Sequence, residues 1–171
     1  KCGKPDNTIL IISSYNPDTR TTAETLSEFM REYNAIGGTY NVAIESMNCR
    51  NLPESKQWRS RMTEILNKYC DGTSQPALVV LLGVEASSTF LSLDEEIVHK
   101  LPVLLGMRNR NVIMLPPANV NINKWEPESY DILNDFKNYN IVGGTIYHYD
   151  VEKNIKLIKS LYPKTRTIAF L

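Results

Sequence analysis

The sequence is poor in the residues that build metal centres and disulfide frameworks. Its three cysteines, Cys2, Cys49 and Cys70, are an odd number without Cys-x-x-Cys spacing, which excludes a disulfide scaffold and a standard cysteine zinc site. The two histidines, His99 and His148, lie far apart, and no metal ligation is expected of them. Charge of either sign is not in excess: nineteen Lys and Arg against nineteen Asp and Glu give a formal net charge of zero. No global field therefore draws the chain onto nucleic acid or an anionic membrane surface. Long apolar runs are missing too, since residues 8–12 and 77–82 fall far short of the roughly 20 residues of a membrane-spanning helix. Repeats and low-complexity tracts are absent. What remains is 171 residues, 42% of them hydrophobic, enough for one domain with a sizeable core and too few for two ordinary ones. The chain begins at Lys1 rather than Met and ends inside an apolar run, as expected of a piece of a longer protein.

Strand-like and helix-like segments alternate. The strands are continuous apolar runs rather than in/out alternations, which a sheet covered on both faces requires. This predicts an α/β fold with a doubly wound parallel sheet. Strands are expected over residues 8–13, 42–47, 77–82 and 103–106. The first helix is expected to start in a capping box of Thr21 and Glu24, to present Ala23, Leu26, Met30 and Tyr33 on one stripe, and to end at Gly37-Gly38. Pro53 opens a second helix with Trp58, Met62, Ile65, Leu66 and Tyr69 on its apolar face. A short helix is expected over 85–91. A long surface loop over 116–127 then precedes a further helix over 128–138. A broken apolar run at 141–145 follows. Asp150 can cap a helix carrying Val151, Ile155, Ile158 and Leu161, which Pro163 stops, and residues 166–171 read as a last strand. Cys49 then falls at the carboxyl end of a strand and Cys70 at the end of a helix running back, too far apart to pair; Cys2 and Cys70 share an end and are the one conceivable pair, and all three thiols are expected free.

In such a sheet ligands bind at the carboxyl ends of the strands, and function is sought there. Ser13, Ser14, Tyr15 and Asn16 follow the first strand, Asn48, Cys49 and Arg50 the second, Gly83, Val84, Glu85 and Ser87 the third, and Met107, Arg108 and Asn109 the fourth. From these, Ser13, Ser14, Tyr15, Asn16, Asn48, Glu85, Ser87, Arg108 and Asn109 are the candidate ligand-binding residues, with hydroxyls, amides and an aromatic suited to a small polar molecule. Each also has a purely structural reading: the serines can close the strand-to-helix turn, Glu85 can answer the dipole of its helix, and Arg108 can be solvated. No strand is followed by GxGxxG or by a Walker-type glycine loop, and there is no GxSxG elbow. Dinucleotide, nucleoside triphosphate and hydrolase-triad chemistry thus lack their motifs, and no cofactor or catalytic residue is expected.

The strand-end segments, taken in order, resemble a known family. Residues 9–15, Ile-Leu-Ile-Ile-Ser-Ser-Tyr, resemble the Ser-Tyr motif that closes the first strand of periplasmic-binding-protein type I sensor domains, the ABC substrate-binding-protein-like modules of bacterial histidine kinases. The stretch 42–50 is similar to the family's second strand, with Asn48 where an aspartate is usual. Leu81-Leu82-Gly83-Val84-Glu85-Ala86 is similar to its third strand and helix, and residues 102–107 to its fourth strand. Residues 143–165 resemble its crossover between lobes. The resemblance implies a Rossmann-like first lobe over 1–142, and a crossover and start of a second lobe over 143–171. It implies the extracytoplasmic ligand-sensing domain of a hybrid two-component histidine kinase of Bacteroides-like type, non-catalytic itself, in the periplasm on an inner-membrane protein. The expected partners are a small polar ligand between the lobes, the second lobe of the same parent chain and a second copy of the chain. A soluble substrate-binding protein of an ABC transporter is the alternative. A single lobe supplies about half the contacts of such a clamp, so weak ligand binding is expected of it alone. The segment 147–171 is expected to pair two copies through Ile155, Ile158, Ile168 and Phe170.

Overall fold

The computed structural model describes residues 3–117 and 119–168. Five strands form a parallel sheet: β1 (Thr8–Ser13), β2 (Asn41–Ser46), β3 (Leu78–Leu82), β4 (Val103–Asn109) and β5 (Ile141–Tyr147), in the order β2-β1-β3-β4-β5. The helices are α1 (Arg20–Ala35), α2 (Ser55–Tyr69), α3 (Val84–Leu91), α4 (Glu96–Lys100) and α5 (Val151–Leu161). This is a Rossmann-like doubly wound fold. The strand order reverses between β1 and β3, which places a crevice at their carboxyl ends.

The apolar runs work as alternating strands with two buried faces. Leu10, Ile12, Val79, Leu81, Val103 and Leu105 meet Trp58, Met62 and Ile65 of α2 and Phe90 of α3 on one side. Ile9, Ile11, Val80 and Leu82 point the other way, where Leu26, Phe29 and Tyr33 of α1 cover them. Successive side chains of a strand leave opposite faces, so a run without polar interruption fills both layers at once. At the β2 edge, Glu45 is tied to α2 by Lys68 at 2.6 Å, Tyr69 at 3.0 Å and Arg61 at 3.2 Å.

Several local expectations are corrected. Helix α1 begins one residue ahead of Thr21; its N-cap Thr19 bonds its hydroxyl to the Asn16 carbonyl and Thr22 hydroxyl, and Glu24 pairs with Arg20 instead of closing a capping box. The predicted helix over 128–138 does not form. Ser129–Asp131 instead pairs antiparallel with Asn111–Ile113, while the Asp131 carboxylate takes the Leu133 N–H at 2.9 Å and the guanidinium of Arg110 at 2.7 Å. An aspartate serving its own following backbone favours turns over helix. Helix α4 has no counterpart in the sequence reading; five residues are too short to show a helical period. The capping of α5 by Asp150, whose carboxylate accepts the Lys153 N–H at 2.9 Å, follows the sequence reading. The boundary expected after residue 142 falls inside β5, which pairs with β4 as a member of the sheet. Of the expected last strand, residues 166–168 are irregular and 169–171 lie outside the described residues, as does Cys2. Cys49 is a free thiol.

Candidate functional site

The β1/β3 crevice is built by backbone groups and hydroxyls that bind one another. The Ser14 N–H donates to the Leu82 carbonyl at 2.8 Å, and the Ser14 hydroxyl accepts the Ala86 N–H at 2.9 Å, fixing the first turn of α3 to the end of β1. Gly83 sits between them at φ +104°, and a Cβ there would lie 2.3 Å from the Ser14 hydroxyl, so both conformation and space demand glycine. Ser13 donates its hydroxyl to the Tyr15 carbonyl at 2.7 Å, and Ser87 donates to the Gly83 carbonyl at 2.6 Å. All three serines are buried and committed to protein partners. They hold the turn together, in keeping with their structural reading.

Above this floor, the Tyr15 hydroxyl donates to Glu85 Oε1 at 2.6 Å and joins the loop after β1 to α3. That hydrogen bond to a carboxylate, with burial and the charge of Glu85, pushes the phenol up to about 12. Burial, together with the charges of Glu85 and Glu54, likewise pushes the Cys49 thiol up to about 12, far from the thiolate that a nucleophile requires.

Beside Glu85 opens a cleft of about 530 Å³, bounded by the ends of β2 and β4, the face of α3 and the long loop before β5. Arg50 and Asn51 enter it from β2, Trp58 from α2, Val84, Glu85 and Ser88 from α3, and Asn109 and Asn111 from β4 and the strand after it. Ile113, Met114, Leu115 and Trp125 supply an apolar wall. The mixture of apolar surface and a few convergent polar groups is what a small-molecule site presents. Among the described residues, two buried polar atoms of its lining have no hydrogen-bond partner: Trp58 Nε1 and Ser88 Oγ. Leaving such groups unmet costs about 1–3 kcal/mol each, and the cost is usually tolerated where function asks for it.

Of the nine candidate residues, Glu85 and Asn109 line the cleft. Tyr15 reaches it through Glu85; Asn16 caps the turn into α1, and Asn48 stands exposed at φ +48°. Arg108 overturns the expectation of a solvated side chain, being wholly buried. Its Nε donates to the Asn109 carbonyl at 2.9 Å and its Nη2 to the Asn111 carbonyl at 3.2 Å, so it holds from behind the turn that presents those asparagines to the cleft. Among the described residues it pairs with no carboxylate, and burial alone pushes the guanidinium down to about 10. Ser88 and Asn111 are cleft residues that the strand-end reading misses, although Ser88 follows Glu85 by three residues on a helix, a spacing that returns a side chain to the same face. Asn111 lies past the bend at Arg110 and has no such period to announce it. Trp125 carries no such signal, since it arrives on a loop without period.

Among the described residues no cluster of three or more His, Cys, Asp or Glu could hold a metal ion. Comparison of the chain with protein-family models, with curated proteins and with solved structures finds no match.

Proposed function

We propose that this chain is the ligand-binding lobe of an extracytoplasmic sensor domain that takes a small polar molecule into the cleft beside Glu85 and reports its presence to a histidine kinase in the same protein. The observation that carries the binding half of this reading is the cleft itself: a polar and aromatic opening at the carboxyl ends of β3 and β4, with unanswered buried polar atoms on side chains of its wall. The order of strand-end segments that resembles periplasmic-binding-protein type I sensors supports the signalling half. In a clamp of that type the ligand touches both lobes only when they close. The difference in affinity between open and closed states is what shifts the equilibrium and drives the signal. The residues of this chain supply orientation and exclusion of water: Glu85 held by Tyr15, Asn109 and Asn111 held at their backbone carbonyls by Arg108, and Trp125 as an aromatic from the loop before β5.

Thermal unfolding against a library of polar metabolite-sized compounds tests the binding half. A stabilising compound is expected whose effect disappears in Trp125→Ala and persists in a control substitution at Asn34, an exposed residue of α1 far from the strand ends in sequence. Stabilisation that survives Trp125→Ala would place the site elsewhere, and the absence of any stabilising compound would leave the cleft without a ligand. For the signalling half, the same substitution in the full-length parent should abolish the compound's effect on histidine autophosphorylation.

A further inference from the structure

Among the described residues the cleft carries one positive and one negative side chain, and neither has a protein counter-charge. Arg50 stands exposed at the end of β2 and forms no ion pair among the described residues. Glu85, half-buried on α3, is the sole carboxylate of the lining, and its one protein partner among the described residues is the neutral Tyr15 hydroxyl, bound to Oε1. Opposite charges that share a wall without neutralising each other present a fixed dipole to whatever enters. Arg50 forms the side that wants an anionic oxygen. Glu85 forms the side that wants a donor. Val84, Ile113, Met114 and Leu115 leave room for an apolar body between or beside them.

We infer that the ligand is a zwitterion, a molecule carrying an ammonium group for Glu85 and a carboxylate for Arg50 on an apolar body, of the chemical class of a free amino acid or a very short peptide. The inference rests on the cleft being the ligand site, as proposed above. A neutral polyol would answer neither charge. An anion alone would meet the Glu85 carboxylate on the same wall, and a cation alone would meet Arg50; both lose part of their attraction. A zwitterion satisfies both without changing the net charge of the site.

The test uses three probes of one shape: L-phenylalanine, phenethylamine, which lacks the carboxylate, and 3-phenylpropanoate, which lacks the ammonium. Binding to the chain is read by calorimetry and by tryptophan emission excited where the probes do not absorb, with sorbitol as the neutral polar control. Phenylalanine should bind at least about tenfold more tightly than either single-charge analogue. In Arg50→Gln the advantage of phenylalanine over phenethylamine should vanish, and in Glu85→Gln its advantage over 3-phenylpropanoate should vanish. The glutamine at 85 keeps an acceptor for Tyr15, so the fold is preserved; unchanged unfolding temperatures confirm it. Equal binding of the three probes, or preference for a single-charge probe or for sorbitol, with the tryptophan response intact, overturns the zwitterion and leaves the cleft as the ligand site. Phenylalanine binding that is indifferent to both substitutions overturns the charge assignment. If no probe and no library compound perturbs the cleft, both readings fall together.

Discussion

Arg108 is the residue whose chemistry is least expected from its position. A guanidinium without solvent and without a carboxylate is held at two backbone carbonyls, and its Nη1 has no hydrogen-bond partner among the described residues. The folded state disfavours its charge, which is why burial lowers it to about 10. A base lowered by folding withdraws stability while it is protonated, and returns it only as the pH rises through the folded value toward the unfolded one. At neutral pH the charge is therefore a cost. Arg108→Met, of similar reach and without charge, is expected to leave the unfolding temperature unchanged or raise it at pH 7, because replacing a poorly answered buried charge by a packed apolar side chain is often neutral or stabilising. The same substitution releases the carbonyls of Asn109 and Asn111 and should weaken ligand binding in the cleft. Scanning calorimetry at pH 7 gives the first half; a clear fall in unfolding temperature would show that the carbonyl bonds outweigh the desolvation. Arg108 in that case belongs to the stability of the sheet, and not to the positioning of the site.

At the scale of elements, the balance at the β2 edge sets a pH dependence. Burial raises the Glu45 carboxyl, but hydrogen bonds from Lys68 and Tyr69 and the charges of Lys68 and Arg61 more than offset it and hold the group below its ordinary value. A carboxylate lowered by folding contributes stability that is full above its unfolded value and is lost as the pH falls through the folded one. Glu45→Gln should therefore lower the unfolding temperature at pH 7 and narrow the fall between pH 7 and pH 3 relative to the parent chain, a difference followed by thermal melts in the far ultraviolet. Parallel melting curves for the two proteins across that range would remove Glu45 from the acid response. The strands themselves are legible in the sequence because a run such as residues 77–82 has no other means of burying both faces. The helix expected over 128–138 is not, because the local bonds of Asp131 and its pairing with Arg110 outweigh a weak helical period. The site is legible at the level of strand ends, which bring Glu85 and Asn109 into view. Its serines escape that reading for a physical reason: a hydroxyl next to a strand end serves a ligand or the turn with the same geometry, and only the partners of Ser13, Ser14 and Ser87 decide between them.

Across the whole molecule the apolar surface is unevenly finished. The central strands β1 and β3 are covered on both faces, whereas α5 contributes no buried residue and shows Val151, Leu157 and Leu161 at 50%, 57% and 64% exposure. Val142 on the edge strand β5 and Leu133 beside it are 58% exposed each, next to a small apolar hollow lined by Leu105, Ile132 and Ile146. Covering such side chains stabilises by about 25 cal/mol per Å² of apolar area, and an edge strand adds backbone groups that another strand can pair. Helix α5 does not gain that cover by folding back onto its own lobe, since Ile155 and Ile158 are only half-buried and their neighbours face solvent. Another means of relief, beside a second lobe of the parent chain, is a second copy. Identical β5 edges can pair about a twofold axis without disturbing the order of the sheet. Self-association of the chain is the expected result, seen in sedimentation velocity as a mass that rises with concentration. Val142→Lys on the edge should hold the chain at monomer mass, because a lysine on an edge strand opposes its pairing with another strand. Leu157→Lys on the outer face of α5 should weaken association less if the strand edge carries the contact, and more if the helix does. A parent chain that remains monomeric at every concentration tested would show that neither surface is an interface between copies.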